Sequence, residues 1–282
     1  MNAPARPSRP IAHDSVSRAF GAAHGYDRHA PVQHRIAQGL ARRIAALDLA
    51  PAPAVFEFGC GTGFLTQALL AETALASPQA RWRVTDLAPA MLARCHERLG
   101  PRANLQLSTL DAEYAEPEDG PFDLIASSLA LQWFDDPLAA LARMGGWLAP
   151  GGHLMVTTLG AGTFAEWRAA HTALGLEAGT PPFLDARRFA ALAGAQVRVE
   201  PIVEHPGSAR AFLRALKAIG AGTPRTGHRP LAPAELRAVM AQFERNPCTA
   251  TYEVVTIHLA RPSEPETPAL RPDTQPSRPD PR

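Results

Sequence analysis

Three short stretches place chemically consequential residues at the ends of apolar runs. In AVFEFGCGTGFLTQALLAE, Glu57 precedes Gly59, Gly61 and Gly63 at alternate positions. Glycines so spaced let a ligand come close to the backbone, and the first amides of a following helix offer hydrogen bonds to an anionic group. A dinucleotide fingerprint counted from Gly59 would demand glycine at 64, where the chain has Phe64, which weighs against a nicotinamide site. Taken alone, the loop is equally compatible with a turn that binds nothing. Asp86 closes RWRVTD, and Asp111 follows NLQLSTL. A carboxylate at a strand's end accepts the two hydroxyls of a ribose, with Leu87 beside it as an apolar face. Asp86 is also compatible with capping the next helix.

The elements that must hold these residues follow from periodicity. Residues 54–58 form an apolar run suited to a buried strand, and a helix is predicted from Phe64. A second strand ends at Asp86, before a helix with Met91, Leu92 and Leu99 on one face. A short third strand precedes Asp111, a fourth covers 122–127 and runs into LALQW, and a helix with a Pro-Gly-Gly turn leads to a fifth. QVRVEPIVE and ATYEVVTIHLAR are rich in β-branched residues and read as the last strands. Strands alternating with helices predict a parallel, doubly wound α/β sheet.

Composition narrows the classes. The chain has 282 residues, 46% hydrophobic and 20% charged, enough for one large or two small cores. Three cysteines without metal-like spacing suggest neither a disulfide framework nor a zinc site. No apolar run is long enough to span a bilayer, and MNAPARPSRP lacks a signal peptide's apolar core, so a cytoplasmic protein is expected. A net charge of +1 argues against a general nucleic-acid binder. Residues 1–13 and the Pro-rich 262–282 read as disordered tails.

E-x-G-x-G-x-G at a strand's end, with Asp86 and Asp111 in order behind it, resembles the class I S-adenosylmethionine methyltransferases. The resemblance implies a three-layer Rossmann-like fold: a mostly parallel seven-stranded sheet, its seventh strand antiparallel beside the fifth, with a helical cap. It implies that Glu57, Gly59, Gly61, Gly63, Asp86, Leu87, Asp111, Ala112 and Ser127 bind S-adenosylmethionine, Leu87 packing on the adenine and Asp111 accepting its amino group. VSRAFGAAHGYDRHAPVQ, SSLALQWFDDP, TTLGAGTFAEW, FLRALKAIGAG and TYEVVTIHLAR are further similar to the malonyl-acyl-carrier-protein O-methyltransferases of biotin synthesis. That implies a methyltransferase domain over 14–261, with substrate-cap insertions near 162–178 and 206–247.

That family methylates the free carboxylate of a malonyl thioester on acyl carrier protein, an ester that the fatty-acid machinery elongates. The nucleophile is already ionised near neutral pH, so no general base or metal is needed, only desolvation and alignment. Tyr26 on an N-terminal lid, with Gln132 and Trp133 after the fourth strand, are the residues expected at the acceptor. Lys217, the chain's only lysine, lies with Arg210, Arg214, Arg225 and Arg229 in a stretch without an acid. Such a basic surface suits an acidic carrier protein; Lys217 or an arginine could instead meet the malonyl carboxylate, and a solvated basic face is the plain alternative. Other readings are a methyltransferase of a small free acid such as aconitate, and a non-catalytic binding module.

Overall fold

The computed structural model of the protein describes residues 13–23, 25–72, 75–115, 119–225, 227–245 and 247–263. The segments read as tails lie almost wholly outside these. Three helices open the chain, α1 (His13–Gly21), α2 (Tyr26–His29) and α3 (Pro31–Ile44). The sheet then begins with β1 (Ala54–Phe58), α4 (Phe64–Leu69), β2 (Arg81–Asp86), α5 (Pro89–Leu99), β3 (Leu105–Thr109), β4 (Phe122–Ser128), α6 (Pro137–Gly145) and β5 (Leu148–Leu159). It ends with α7 (Ala165–Thr172), α8 (Ala186–Ala190), β6 (Gln196–Glu204), α9 (Ala209–Ala218), α10 (Pro233–Glu244) and β7 (Ala250–Ala260).

The strand order is β3-β2-β1-β4-β5-β7-β6. The first five strands pair in parallel, and β7 runs antiparallel to both β5 and β6. Alternation with helices fails once: between β3 and β4 the described residues form turns, as the loop read after the third strand implies. The segment DAEYAEPEDGP carries acids, prolines and a glycine but no helical apolar period.

All five residues of β1 are buried, as a central parallel strand requires. Val55 faces a core with Leu40, Ile44, Leu65 and Trp82, while Phe56 and Phe58 face Phe122, Leu141 and Met144 on the other side. Each such fully buried side chain contributes roughly 1.5–3 kcal/mol. The α6 helix is fixed by Pro137 in its first turn and by Asp136, which accepts the Ala139 amide at 3.0 Å. A third cluster, with Phe164, Trp167, Phe212, Phe243 and Tyr252, joins α7, α9 and α10 to β7 and forms the cap.

Chain direction across the sheet reverses between β1 and β4, which lie side by side with β2 outside one and β5 outside the other. Their carboxyl ends open a crevice where ligands bind in such sheets.

Candidate functional site

Two cavities meet over that crevice. The first is lined by Glu57, Gly59 and Gly61 at the end of β1 and just past it, by Asp86 and Leu87 at the end of β2, by Asp111 and Ala112 after β3, and by Ser128 and Leu129 at the end of β4. Gly59 has φ +62°, and a Cβ there would stand 2.2 Å from the Ala130 Cβ, so only glycine fits. Gly61 has φ +56° and nothing within 4 Å of a would-be Cβ, which leaves open space on the cavity side of its backbone.

Asp86 ties the loop to the sheet. Its Oδ2 accepts the Gly61 amide at 2.8 Å and its Oδ1 the Ala88 amide at 2.8 Å. Burial raises its pKa, opposed by these amide bonds. The helix cap at this junction is Ala88 rather than Asp86. Each carboxylate oxygen keeps a lone pair for a further donor. Glu57 is 1% exposed, its Oε2 is buried with no hydrogen-bond partner, and burial above all pushes its pKa well up. At the wall of the first cavity, that oxygen is free to accept from a ligand's donor.

Two expected cavity residues lie elsewhere. Ser127 is fully buried, and Ser128 takes its place at the wall, because successive β4 side chains face opposite sides. Gly63 is off the lining too: it caps α4 with φ +88°, and a Cβ there would meet Cys95 Sγ at 2.9 Å. Its role is to let α4 approach α5.

A lid from α1 and α2 closes the first cavity with Val16, Ser17, Phe20 and Tyr26. Two arginines of α5 hold it. Arg94 donates to Ala23 O at 2.8 Å and to Gly21 O at 3.0 Å. Arg98 pairs with Asp27 and donates to Thr62 O at 2.6 Å, and Thr62 Oγ1 donates to Asp27 at 2.7 Å. Burial, then the nearby Asp86 and Asp27 charges, push the Tyr26 phenol well above its ordinary value, so it stays protonated and can donate.

The second cavity, about 790 Å³, lies under the cap. Its walls are mostly apolar, with Phe164, Trp167, Leu213, Leu216 and Tyr252 beside His171, and Lys217 also borders it. Phe20, Tyr26, Gln33, Leu129 and Trp133 line both cavities, so the two meet there. Trp133 stands edge-on to Phe20, centroids 5.5 Å apart. Gln132 borders the second cavity only. Its Nε2 donates to Leu129 O at 2.6 Å, and its Oε1 accepts from Thr158 at 3.2 Å. The bond to Leu129 holds a left-handed turn, φ 58°, that costs a leucine about 1–3 kcal/mol. Neither this strained residue nor Phe164, φ 57°, carries a sequence signal, since positive φ is ordinarily read from glycine or asparagine. Phe20, Gln33 and His171 were equally silent, being spread over distant helices.

Along α9, Arg210, Arg214 and Lys217 are exposed and form no ion pair among the described residues. Arg225 and Arg229 differ from expectation. Arg225 pairs with Glu177, and Arg229 with Glu235 at 2.9 Å. The acids arrive from outside the acid-free stretch, so segregation of charge along the sequence overstates segregation in space. Among the described residues no cluster of three or more His, Cys, Asp or Glu could hold a metal, and no helix is long and apolar enough to cross a membrane.

Comparison with known proteins agrees with this geometry. Residues 56–154 match the family described as a methyltransferase domain. In structure, a putative methyltransferase from Bacillus halodurans aligns with TM-score 0.54 at 14% identity, over 80% of this chain and 99% of that one, which shows the shared fold. In sequence, the biotin biosynthesis bifunctional protein BioCD of Bordetella avium is 45% identical over 247 residues, 85% of this chain; the chain spans 50% of that relative's length. The malonyl-acyl-carrier-protein O-methyltransferase of Magnetococcus marinus is 35% identical over 85% of this chain and 90% of its own length. A relative matched over nearly its whole length, on the fold described above, shows that the chain belongs to the malonyl-acyl-carrier-protein O-methyltransferase family.

Proposed function

We propose that this protein methylates the free carboxylate of a malonyl thioester on acyl carrier protein, with S-adenosylmethionine as methyl donor, the ester serving biotin synthesis. One observation carries the reading. A cavity built on the glycine loop and strand-end carboxylates meets a larger, mostly apolar cavity at Tyr26, Leu129 and Trp133.

The residues present fit the donor. Asp86 has lone pairs for ribose hydroxyls, Leu87 and Asp111 flank the place for an adenine, Gly61 leaves its backbone open, and Glu57 Oε2 lacks the partner that an ammonium group supplies. S-adenosylmethionine brings an electrophilic methyl: a carboxylate oxygen bonds to it as the carbon–sulfur bond breaks, leaving a methyl ester and a thioether. The chain supplies no base because the acceptor ionises near pH 4, at about the usual carboxylate value. Tyr26, Gln132 and Trp133 position it instead. The protonated Tyr26 phenol donates at the junction, Gln132 keeps the Leu129 turn in shape, and Trp133 walls the acceptor from water.

The apolar second cavity houses the thioester and its arm, a volume that a small free acid would leave unfilled. Lys217, exposed beside that cavity, marks its mouth. With Arg210 and Arg214 it offers the acidic carrier a docking face.

Mass spectrometry of malonyl carrier protein after incubation with S-adenosylmethionine tests the reading. One methyl should replace one proton on the malonyl group, and acetyl carrier protein, which has no carboxylate, should be unchanged. Methylation of a free tricarboxylic acid in place of the malonyl carrier would overturn it.

A further inference from the structure

One buried titratable side chain has no part in the mechanism above. His171, on α7, is 2% exposed, yet it lines the second cavity. Its Nδ1 lies 2.8 Å from Trp167 O. A carbonyl only accepts, so Nδ1 must carry the proton, which leaves Nε2 with its lone pair in the neutral ring. The Trp167 ring, 4.8 Å away and edge-on, fixes the imidazole plane. Among the described residues Nε2 has no hydrogen-bond partner, and the ring borders the second cavity. Nε2 is therefore the ring nitrogen left for a ligand there. Burial, and then the nearby His228 on the same cavity, push the ring's titration below its ordinary value against the opposing effect of the Trp167 bond, and this favours the neutral form.

An oriented acceptor in a mostly apolar wall selects a ligand with a donor. Resting on the function proposed above, we propose that His171 Nε2 accepts an amide N–H of the pantetheine arm that carries the malonyl group. A malonyl thioester is itself without donors when ionised, so this bond reads the carrier's arm and not the reacting end. His171 is thus a specificity residue, distinguishing malonate on a pantetheine arm from malonyl thioesters that lack the amides.

Two substitutions separate this role from packing. His171→Asn keeps a nitrogen near Nδ1 for the Trp167 carbonyl and removes the Nε2 acceptor, whereas His171→Gln places an amide oxygen near Nε2. The readout is the ratio of kcat/KM for malonyl carrier protein to that for S-ethyl malonyl thioester, which has no amide. The ratio should fall about 3- to 10-fold in His171→Asn, through KM, as expected for one lost hydrogen bond, and recover in part in His171→Gln. Equal losses on both substrates, or an unchanged ratio, would overturn the proposal. If the asparagine variant does not fold, the wild type decides: malonyl pantetheine N-methylated at either amide should lose a similar factor at one of the two, and no loss at either would also overturn it. Failure of the wild type to methylate malonyl carrier protein at all would instead remove the functional reading, and this inference with it.

Discussion

The Gly61 amide donates to Asp86 Oδ2 at 2.8 Å, joining the glycine loop to the end of the neighbouring strand across 25 positions of sequence. The same carboxylate thus shapes the loop and, in the proposed function, holds the donor's ribose. Asp86→Ala loses both, and S-adenosylmethionine affinity should fall by about 5- to 150-fold, equivalent to roughly 1–3 kcal/mol. Isothermal calorimetry checks this, and unchanged affinity would remove Asp86 from the site.

Glu57 predicts a conflict between binding and stability. Its pKa is raised, so the folded chain binds this proton more tightly than the unfolded chain does. The stability it contributes is therefore full below the unfolded carboxylate value of about 4.3 and is lost as pH rises toward the folded value. Glu57→Gln removes that loss. The unliganded variant should melt higher than wild type at pH 8, with the gap closing in acid, while its affinity for S-adenosylmethionine falls. Melting curves across pH decide it; a variant melting lower at pH 8 would show that the carboxylate supports the fold.

Much of this was legible in the sequence. Strand, glycine loop and helix follow from local apolar period and composition, and Asp86 and Asp111 stand at strand ends, so order along the chain locates them. That Ser128 and not Ser127 borders the first cavity was less legible, because one residue of strand register reverses which side chain faces a cavity. The pairing of Arg225 with Glu177 and the meeting of Tyr26, Leu129 and Trp133 are contacts between distant elements. No local pattern encodes them.

Gly61 and Gly63 should fail differently. Both have positive φ, so alanine at either is strained and lowers Tm; a methyl at Gly61 meets no protein atom within 4 Å but occupies the open side of the loop, so Gly61→Ala should in addition weaken donor binding. A methyl at Gly63 strikes Cys95 Sγ at 2.9 Å, so Gly63→Ala should mainly lower Tm. Calorimetry and thermal melts on the pair test the distinction; equal profiles would refute it.

Arg94 should govern release. Its two bonds to Gly21 O and Ala23 O pin the lid from the flank of α5, outside the first cavity's lining. Arg94→Ala should speed dissociation of the demethylated donor by about tenfold, the equivalent of one charged hydrogen bond, with circular dichroism little changed. Stopped-flow fluorescence of the lid-contacting Trp133 provides the signal. An unchanged off-rate would mean that the lid is held elsewhere.

The docking face of the proposed function rests on five basic residues that fall into two groups, and reversal of charge can tell these apart. Arg210 and Arg214 have no ion-pair partner among the described residues, so Arg210→Glu with Arg214→Glu places two negative charges directly against an acidic carrier. KM for the malonyl carrier should rise about 3- to 10-fold at low ionic strength, as for a pair of rim charges, and the difference from wild type should shrink as salt screens it. Arg225 and Arg229 already face Glu177 and Glu235, so their charge is largely answered within the chain. Reversing these two should raise KM less and lower Tm by setting like charges together. Steady-state kinetics at two salt concentrations, with the S-ethyl thioester as a substrate that needs no docking, separates the groups. Equal KM effects from both double variants would show that the whole stretch, and not the α9 face, meets the carrier.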